Sequence, residues 1–130
     1  MRLKIWMPVM AIALAATATA AETAAGLLAG YQAEAGTAAD PGRGQRLFTQ
    51  TQGREWSCAS CHRALPVSAG RHAGTGKPIE ALAPAFNPQR FSDAGKAEKW
   101  FRRNCKDVLA RECSAGEKAD VLAWLITLRN

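Results

Sequence analysis

The sequence predicts an all-α domain. Four stretches of the 130 residues place apolar side chains at helical spacing, and three of them begin at a residue that commonly caps a helix. Nowhere does the chain show the sustained apolar–polar alternation that is typical of a strand. The segment 64–92 holds four of the six prolines and is therefore not predicted to be helical. Two predicted helices precede it and two follow it.

The two helices before this segment have clear boundaries. Residues 23–35 are rich in Ala, Leu and Gln, and Gly36 is a typical helix terminator. Asp40 and Pro41 then supply an N-cap and a first helical residue, which begin the second helix. The expected apolar faces consist of Leu27, Leu28 and Tyr31 in the first helix and Gly44, Leu47 and Phe48 in the second.

The two helices after the proline-rich segment are also marked by their first residues. Asp93 begins one that runs to about Cys105, and a capping box of Ser114 and Glu117 begins the last. Because 64–92 is too long to be a structureless loop in a compact domain, we expect it to cover something. The last helix carries an apolar stripe formed by Val121, Leu122, Trp124, Leu125 and Leu128.

The N-terminus has the composition of a secretory signal peptide. Arg2 and Lys4 precede an almost uncharged stretch at 7–21 that ends in small residues. We therefore expect residues 1–21 to be removed and residues 22–130 to form one small domain in the periplasm, with a retained anchor as the alternative. No later stretch is apolar for long enough to cross a bilayer.

Residues 58–62 read Cys-Ala-Ser-Cys-His, which is the attachment signature of a c-type haem. The thiols of Cys58 and Cys61 add to the two porphyrin vinyl groups, and His62 is then held beneath the iron as its proximal ligand. The motif predicts one covalent haem c with its iron. A redox-active disulfide would need a βαβ setting, and zinc would need more ligands than the one other histidine, His72, provides.

The chain after the signal peptide contains no methionine, although methionine is the usual sixth ligand of an electron-carrying cytochrome c. The three methionines, all in the predicted signal peptide, are Met1, Met7 and Met10. Another group must therefore face the second side of the iron. The candidates are His72, a lysine such as Lys77 or Lys96, and Asn104.

Asn104 lies on an otherwise apolar helical face. Ala97, Trp100, Phe101 and Asn104 are spaced i, i+3, i+4 and i+7, so they share one side of the predicted helix. A buried polar group without a partner costs about 1–3 kcal/mol. The amide of Asn104 therefore either bonds to the backbone near the helix end or points at the iron, and spacing alone leaves both open.

Several segments resemble known cytochromes. Gly44 and Phe48 before the haem motif, with Trp124 in the last helix, resemble the crossed helices of class I cytochromes c, in which an aromatic residue packs against the glycine. Nearly the whole chain after the signal peptide is also similar to a small family, the sphaeroides haem proteins. The similar segments are 75–77, 82–84, 87–91, 99–105, Cys113 and 116–124, whereas 63–75 looks less similar.

The resemblance implies a small cytochrome fold with helices around one haem, and it favours one sixth ligand. In that family an asparagine at the position of Asn104 is the weak sixth ligand of a high-spin ferric haem. It leaves on reduction and frees the site for oxygen or nitric oxide. An amide oxygen is a weaker iron ligand than imidazole or thioether, and the displaced NH₂ group can donate a hydrogen bond to the new ligand.

Cys105 and Cys113 form a second pair, and in an oxidising compartment we expect them to form a disulfide. The bridge would close a short loop, contribute about 2.5 kcal/mol through loop entropy, and restrict the adjacent Asn104. A structural bridge is favoured over a redox-active one. The cations that can pair with haem propionates, or can equally be solvated, are Lys77, Arg90, Arg102 and Arg103.

The net charge bears on the choice of partner. The chain has 17 basic and 11 acidic residues, and loss of Arg2 and Lys4 leaves 15 basic ones, so the formal charge falls from +6 to +4. This charge suits an acidic redox partner, such as a membrane or soluble cytochrome, and equally a solvated surface. No basic stretch interleaved with aromatic residues indicates nucleic-acid binding.

Three functions compete at this point. The first is a periplasmic, high-spin monohaem cytochrome that binds a diatomic ligand such as O₂ or NO and transfers electrons. The second is a plain low-spin electron carrier with a strong sixth ligand such as His72. The third is a haem enzyme acting on nitric oxide, oxygen or peroxide, for which the sequence shows no distal histidine or carboxylate as acid or base.

Overall fold

Helices account for nearly all of the regular structure. The structure is a computed structural model that describes Met1 and residues 22–129, so the predicted signal peptide lies outside the described residues apart from Met1. The all-α prediction is confirmed, and no helix in the described part of the chain is long and apolar enough to cross a membrane. The elements are α1 (Ala24–Ala35), α2 (Pro41–Thr49), α3 (Ala59–His62), β1 (Gly70–Arg71), β2 (Pro78–Ile79), α4 (Ala94–Leu109) and α5 (Ala115–Thr127).

Capping side chains begin the four long helices. In each case a side-chain oxygen accepts a hydrogen bond from a backbone N–H of the first turn. The capping box of α5 is complete, because Glu117 Oε2 also accepts the backbone N–H of Ser114 at 2.8 Å. Gly36 ends α1 as predicted, with a φ of +68°. The four capping residues are Thr23, Asp40, Asp93 and Ser114.

Helix α4 is longer than predicted. It continues four residues beyond Cys105 to Leu109, and Ala110 ends it in the left-handed region with a φ of +59°. The extension has a physical reason, because Val108 lies four residues after Asn104 and is buried, so it prolongs the inward face. No glycine or proline between Cys105 and Ala110 marks this end in the sequence.

Helix α5 lies at the centre of the fold and packs against both α1 and α2. Its predicted apolar stripe is buried, apart from Leu128, which follows the helix and is half-buried. Two apolar clusters result. One joins α1, α4 and α5 through Leu27, Tyr31, Ala97, Ala119 and Leu122. The other joins α2 and α5 through Phe48, Val121, Trp124 and Leu125.

Gly44 is the point of close approach between α2 and α5. A Cβ atom there would overlap the backbone carbonyl of Asp120 and lie 2.7 Å from the backbone nitrogen of Val121, so only glycine permits this crossing. Trp124, the aromatic residue expected near this glycine, belongs to the α2–α5 contact. The Trp124 ring packs on Phe48, with ring centroids 5.0 Å apart, one turn further along each helix.

A buried carboxylate ties the start of α2 to α5. Asp120 is 5% exposed, and it accepts hydrogen bonds from Arg43 Nε at 2.6 Å and from Arg43 Nη2 at 2.9 Å. Its Oδ1 also accepts the backbone N–H of Asp40 at 2.7 Å. Both carboxylate oxygens are therefore satisfied, and they hold α2 in its orientation across the Gly44 contact.

The long connection between α3 and α4 consists of ordered turns. The backbone N–H groups of Leu82 and Ala83 both donate to the carbonyl of Pro66 at 3.0 Å, which closes a wide loop. Strands β1 and β2 pair antiparallel within this loop, a small hairpin that the sequence did not predict. A Cβ at Gly70 would overlap the carbonyl oxygen of Cys61, so the hairpin packs directly on α3.

Candidate functional site

A mainly apolar cavity of about 680 Å³ lies between α2, α3, α4, α5 and the long connection. This volume is within the range of pockets that bury an organic ligand. The connection supplies much of the lining, including His72, Leu82 and Phe91, as expected of a segment that covers something. Lys96 is not among the lining residues. The predicted attachment, ligand and disulfide residues that line the cavity are Cys58, Cys61, His62, His72, Lys77, Asn104, Cys105 and Cys113.

The Cys-Ala-Ser-Cys-His motif forms the short helix α3, which the sequence did not predict. The backbone N–H of His62 donates to the carbonyl of Cys58 at 3.0 Å, and this single turn places the two cysteines and His62 on the wall of one cavity. Arg63 follows with a φ of +71°, so the chain turns away at once. Both cysteines are free, and burial raises the pKa of Cys58 to about 11, which keeps it a neutral thiol.

His62 presents an uncharged imidazole to the cavity. Burial, with a smaller contribution from the nearby charge of Arg90, lowers its pKa to about 4. The His62 ring centroid lies 6.2 Å from that of Phe48, which belongs to the α2–α5 contact. Its Nδ1 atom is buried and forms no hydrogen bond with any described residue. A neutral imidazole is the form that a metal ligand requires.

These features fit a covalently attached haem. Two free thiols in C-x-x-C spacing, an imidazole directly after them and an apolar cavity are what thioether attachment and proximal ligation need. A cation held by protein ligands alone is not indicated. The described residues contain no group of three or more His, Cys, Asp and Glu side chains that could hold one.

Asn104 faces the same cavity from α4. The three apolar residues predicted to share its face, Ala97, Trp100 and Phe101, line the cavity as well, and Trp100 is 46% exposed at its rim. Asn104 is half-buried, and its amide forms no hydrogen bond with any residue that the structure describes. The alternative, in which the backbone near the helix end satisfies this amide, is therefore not observed.

His72 follows β1 on another wall of the cavity. Its Nδ1 accepts backbone hydrogen bonds from Gly74 N at 3.2 Å and from Thr75 N at 3.1 Å. The ring stands edge-on to Trp56, with centroids 6.3 Å apart. Since Nδ1 already has two donors, only Nε2 of His72 is left to meet a bound group.

Cys105 and Cys113 are joined in a disulfide, as predicted. Their Cα atoms are 5.6 Å apart, and Cys113 directly precedes Ser114, the N-cap of α5. Cys105 is buried, and both cysteines line the cavity. The bridge therefore fixes the segment of α4 that carries Asn104 relative to the central helix.

The four cations considered for the haem propionates, Lys77, Arg90, Arg102 and Arg103, differ in position. All except Arg102 line the cavity, and Arg102 pairs with Glu112 at 3.4 Å instead. Arg90 already donates to two backbone carbonyls. The guanidinium of Arg103 lies over the ring of Trp100, 5.1 Å from its centroid.

Two carboxylates and an indole of the lining were not identified from the sequence. Glu80, Asp107 and Trp56 line the cavity together with His72. No local pattern marks them: Glu80 reaches the site through the path of the long connection, Asp107 through the extra turn of α4, and Trp56 through the segment between α2 and α3. The sequence shows no distal histidine or carboxylate that could act as acid or base, and the cavity lining adds Glu80 and Asp107 as carboxylates near the site.

A helical domain built around one cavity, with the attachment motif on its wall, defines a c-type cytochrome with one covalent haem. Comparison with known proteins narrows this class. Residues 34–125 match the family described as domain of unknown function (DUF1924). The chain belongs to this family and to the c-type cytochromes related to the sphaeroides haem protein, SHP, and to cytochrome c''.

The similarity to these relatives is extensive. The chain is 48% identical over 122 residues to the cytochrome c-type protein SHP of Cereibacter sphaeroides, a match that covers 90% of this chain and 94% of the relative. It is 44% identical over 82 residues to cytochrome c'' of Methylophilus methylotrophus, a match that covers 63% of this chain and 57% of that protein.

Two solved structures show the same fold. Oxidised SHP, described as an oxygen-binding cytochrome c, matches with a TM-score of 0.78 and 46% identity, covering 84% of this chain and 100% of that one. Oxidised cytochrome c'' matches with a TM-score of 0.74 and 35% identity, covering 82% and 95%. The predicted helical cytochrome fold is therefore confirmed. These relatives form a distinct fold group, so the broader class I assignment is imprecise.

Proposed function

We propose that the protein is a periplasmic, high-spin monohaem cytochrome that binds a diatomic ligand such as O₂ or NO and exchanges electrons with membrane or soluble cytochromes. Residues 1–21 direct its export and are cleaved, which leaves 22–130 as the cytochrome domain. The observation that carries this proposal is the position of Asn104, which lines the cavity from α4, whereas no methionine lies among the described lining residues.

Cys58 and Cys61 attach the haem in this proposal, and His62 holds its iron. The two thiols would hold the haem through thioether bonds to its vinyl groups, and both are free and line the cavity. The uncharged ring of His62 would offer its Nε2 lone pair to the iron, and its buried Nδ1 has no hydrogen-bond partner among the described residues. Once bound, the haem iron supplies one-electron exchange and a coordination site for small ligands.

Asn104 is the labile group on the other side. Its amide oxygen would be a weak ligand, which a high-spin ferric iron would bind and release readily. Three features position the Asn104 side chain at the cavity. They are the apolar face of Ala97 and Phe101, the rim residue Trp100, and the disulfide that begins at the next residue. After it withdraws, its NH₂ group serves as a hydrogen-bond donor toward an incoming diatomic ligand.

The relatives support this function. SHP is an oxygen-binding cytochrome c, and a solution structure of cytochrome c'' addresses the detachment of its haem ligand. That second structure matches this chain with a TM-score of 0.71 and 33% identity.

Absorption spectra of the holoprotein test the proposal. We expect a high-spin ferric spectrum and a ferrous spectrum that changes when CO is added. Asn104→Ala should alter the ferric spectrum and leave the ferrous one unchanged, because the amide has already left in the reduced state. Lys106→Ala, on an exposed residue of the same helix outside the cavity lining, is the matched control and should change neither. A sharp low-spin ferrous spectrum that CO leaves unaltered would contradict the proposal.

An enzyme is the second candidate function. The carboxylates of Glu80 and Asp107 favour it, because they line the cavity and supply the type of acid or base that was not evident from the sequence. Turnover of nitric oxide, oxygen or peroxide is measured for the holoprotein and for the Glu80→Gln and Asp107→Asn variants. The comparison decides between an enzyme and a ligand-binding cytochrome. Catalysis that falls at least tenfold in one of these variants would establish the enzyme. Equal slow rates in all three proteins would leave ligand binding as the function.

A further inference from the structure

We infer that the hairpin at 70–79 is a carboxylate-binding subsite for a haem propionate, with the Nε2–H of His72 as its donor and Lys77 as its cation. His72, whose residue type makes it a candidate iron ligand, thereby has a different role at the haem. It rests on the haem attachment proposed above and does not depend on Asn104.

The first step is the protonation state of His72. Two backbone N–H groups, those of Gly74 and Thr75, point at its Nδ1 at 3.2 Å and 3.1 Å. A backbone N–H can only donate, so Nδ1 must offer its lone pair. The ring is therefore neutral, and its single proton lies on Nε2. In this tautomer Nε2 is a hydrogen-bond donor and has no lone pair for iron.

The second step is the rigidity of the hairpin that presents this donor. The backbone N–H of His72 donates to the carbonyl of Lys77 at 2.8 Å, and its own carbonyl accepts the N–H of Gly76 at 2.8 Å. The N–H of Ala73 donates to Cys61 Sγ at 3.2 Å. The hairpin therefore holds the backbone of His72 in place, and the bond from Ala73 ties this turn to the haem attachment motif.

The third step identifies the ligand. The Nε2–H of His72 has no acceptor among the described residues, yet His72, Thr75 and Lys77 all line the cavity. A donor and a cation on one rigid hairpin suit an anionic acceptor. The only anionic groups of the haem are its two propionates, and a carboxylate that enters a mainly apolar cavity needs such partners.

The hydrogen bonds of His72 also argue against it as the sixth ligand. Coordination through Nδ1 would break both backbone hydrogen bonds, and coordination through Nε2 would require the proton to move to Nδ1, where it would confront two N–H donors. Either change would disrupt the turn at Gly74 and Thr75. His72 therefore sits at the haem site as a positioning residue.

Nitrogen NMR of the holoprotein tests the tautomer without any substitution. Long-range ¹H–¹⁵N spectra are recorded on the reduced, CO-saturated protein, which is diamagnetic whichever group is the sixth ligand. We expect Nε2 of His72 to be protonated and Nδ1 to be unprotonated. The opposite tautomer would overturn the inference.

Resonance Raman spectra then test the contact itself through the propionate bending bands. His72→Phe should shift these bands while the spin state stays unchanged, and Lys77→Gln should shift them in the same sense. His72→Gln, which keeps an amide donor, should shift them less and serves if the phenylalanine variant yields no holoprotein. Lys96→Gln removes a cation outside the cavity lining and should shift nothing.

The outcomes separate this inference from the proposed function. Unmoved propionate bands in both His72 variants would refute the subsite and leave the role of Asn104 intact. A change from low-spin to high-spin haem in His72→Phe would make His72 the iron ligand and refute both. Shifted bands with the expected tautomer support the subsite even if CO does not bind.

Discussion

Replacing Gly44 with alanine tests how the fold positions the haem site. The new Cβ would overlap the carbonyl of Asp120 and approach Val121 N to 2.7 Å. These are backbone atoms of α5, which is held by the Arg43–Asp120 hydrogen bonds and by its own core packing. They cannot move aside as the end of a flexible side chain can. Helices α2 and α5 must therefore part by on the order of 1 Å, which loosens a close-packed contact.

The cost follows from what this contact holds together. Separation weakens the packing of Phe48 on Trp124, whose ring centroids are 5.0 Å apart, and overpacking of this kind typically costs about 1–3 kcal/mol. Because the clash is with backbone, we expect the upper end, about 3 kcal/mol. For a domain of this size that lowers the Tm by roughly 10–20 °C. Phe48 also lies beside His62, so the haem spectrum should change as well.

Guanidinium chloride unfolding of the holoprotein, followed by far-UV circular dichroism, measures the effect. The matched control is Gly30→Ala, since Gly30 is an exposed residue inside α1 whose Cβ would meet nothing within 4 Å. That variant should be more stable by about 0.5–1 kcal/mol, as expected for alanine in place of glycine in a helix. If Gly44→Ala were as stable as Gly30→Ala, the argument from close approach would be refuted.

Two further predictions concern the last helix and its surroundings. The double variant Cys105→Ser, Cys113→Ser should lower the free energy of unfolding by about 2.5 kcal/mol. It should also broaden the ferric haem bands, because the bridge no longer restrains Asn104. Unchanged bands would show that the bridge only stabilises the fold. Hydrogen bonds from Arg111 hold the pKa of Glu117 below its usual range. The Glu117 carboxylate therefore stabilises the fold fully at pH values above its pKa in the unfolded chain. This stabilisation is lost as the pH falls through the lower pKa of the folded state. Acid titration of the unfolding midpoint should therefore be shallower for Glu117→Gln than for the wild type, and an identical pH dependence would contradict this.

Much of the fold could be predicted because the signals are local. The N-caps at Asp40, Asp93 and Ser114 lie within three residues of the N–H groups they bind, so the sequence alone indicates where α2, α4 and α5 begin. The attachment motif is local too, since one helical turn suffices to bring Cys58 and His62 to one wall. The end of α4 was missed because a left-handed alanine, Ala110, terminates it in place of glycine.

The rest of the site depends on contacts that are remote in sequence. His72 was considered as an iron ligand because its residue type permits it, and only the folded turn at Gly74 and Thr75 shows that its Nδ1 is already engaged. Glu80 and Asp107 reach the cavity through the path of the connection and an unpredicted turn of α4. The buried partner of Arg43 likewise lies 77 residues away, at Asp120. Spacing along the chain cannot supply such information.

The central claim is that Asn104 holds the iron in the ferric state and releases it on reduction. Crystal structures of the ferric and ferrous holoprotein test it most directly, through the distance between the Asn104 amide oxygen and the iron. The account predicts bonding distance in the ferric crystal and a withdrawn amide in the ferrous one. An imidazole nitrogen of His72 bound to the iron, or an Asn104 amide that stays remote in both states, would contradict it.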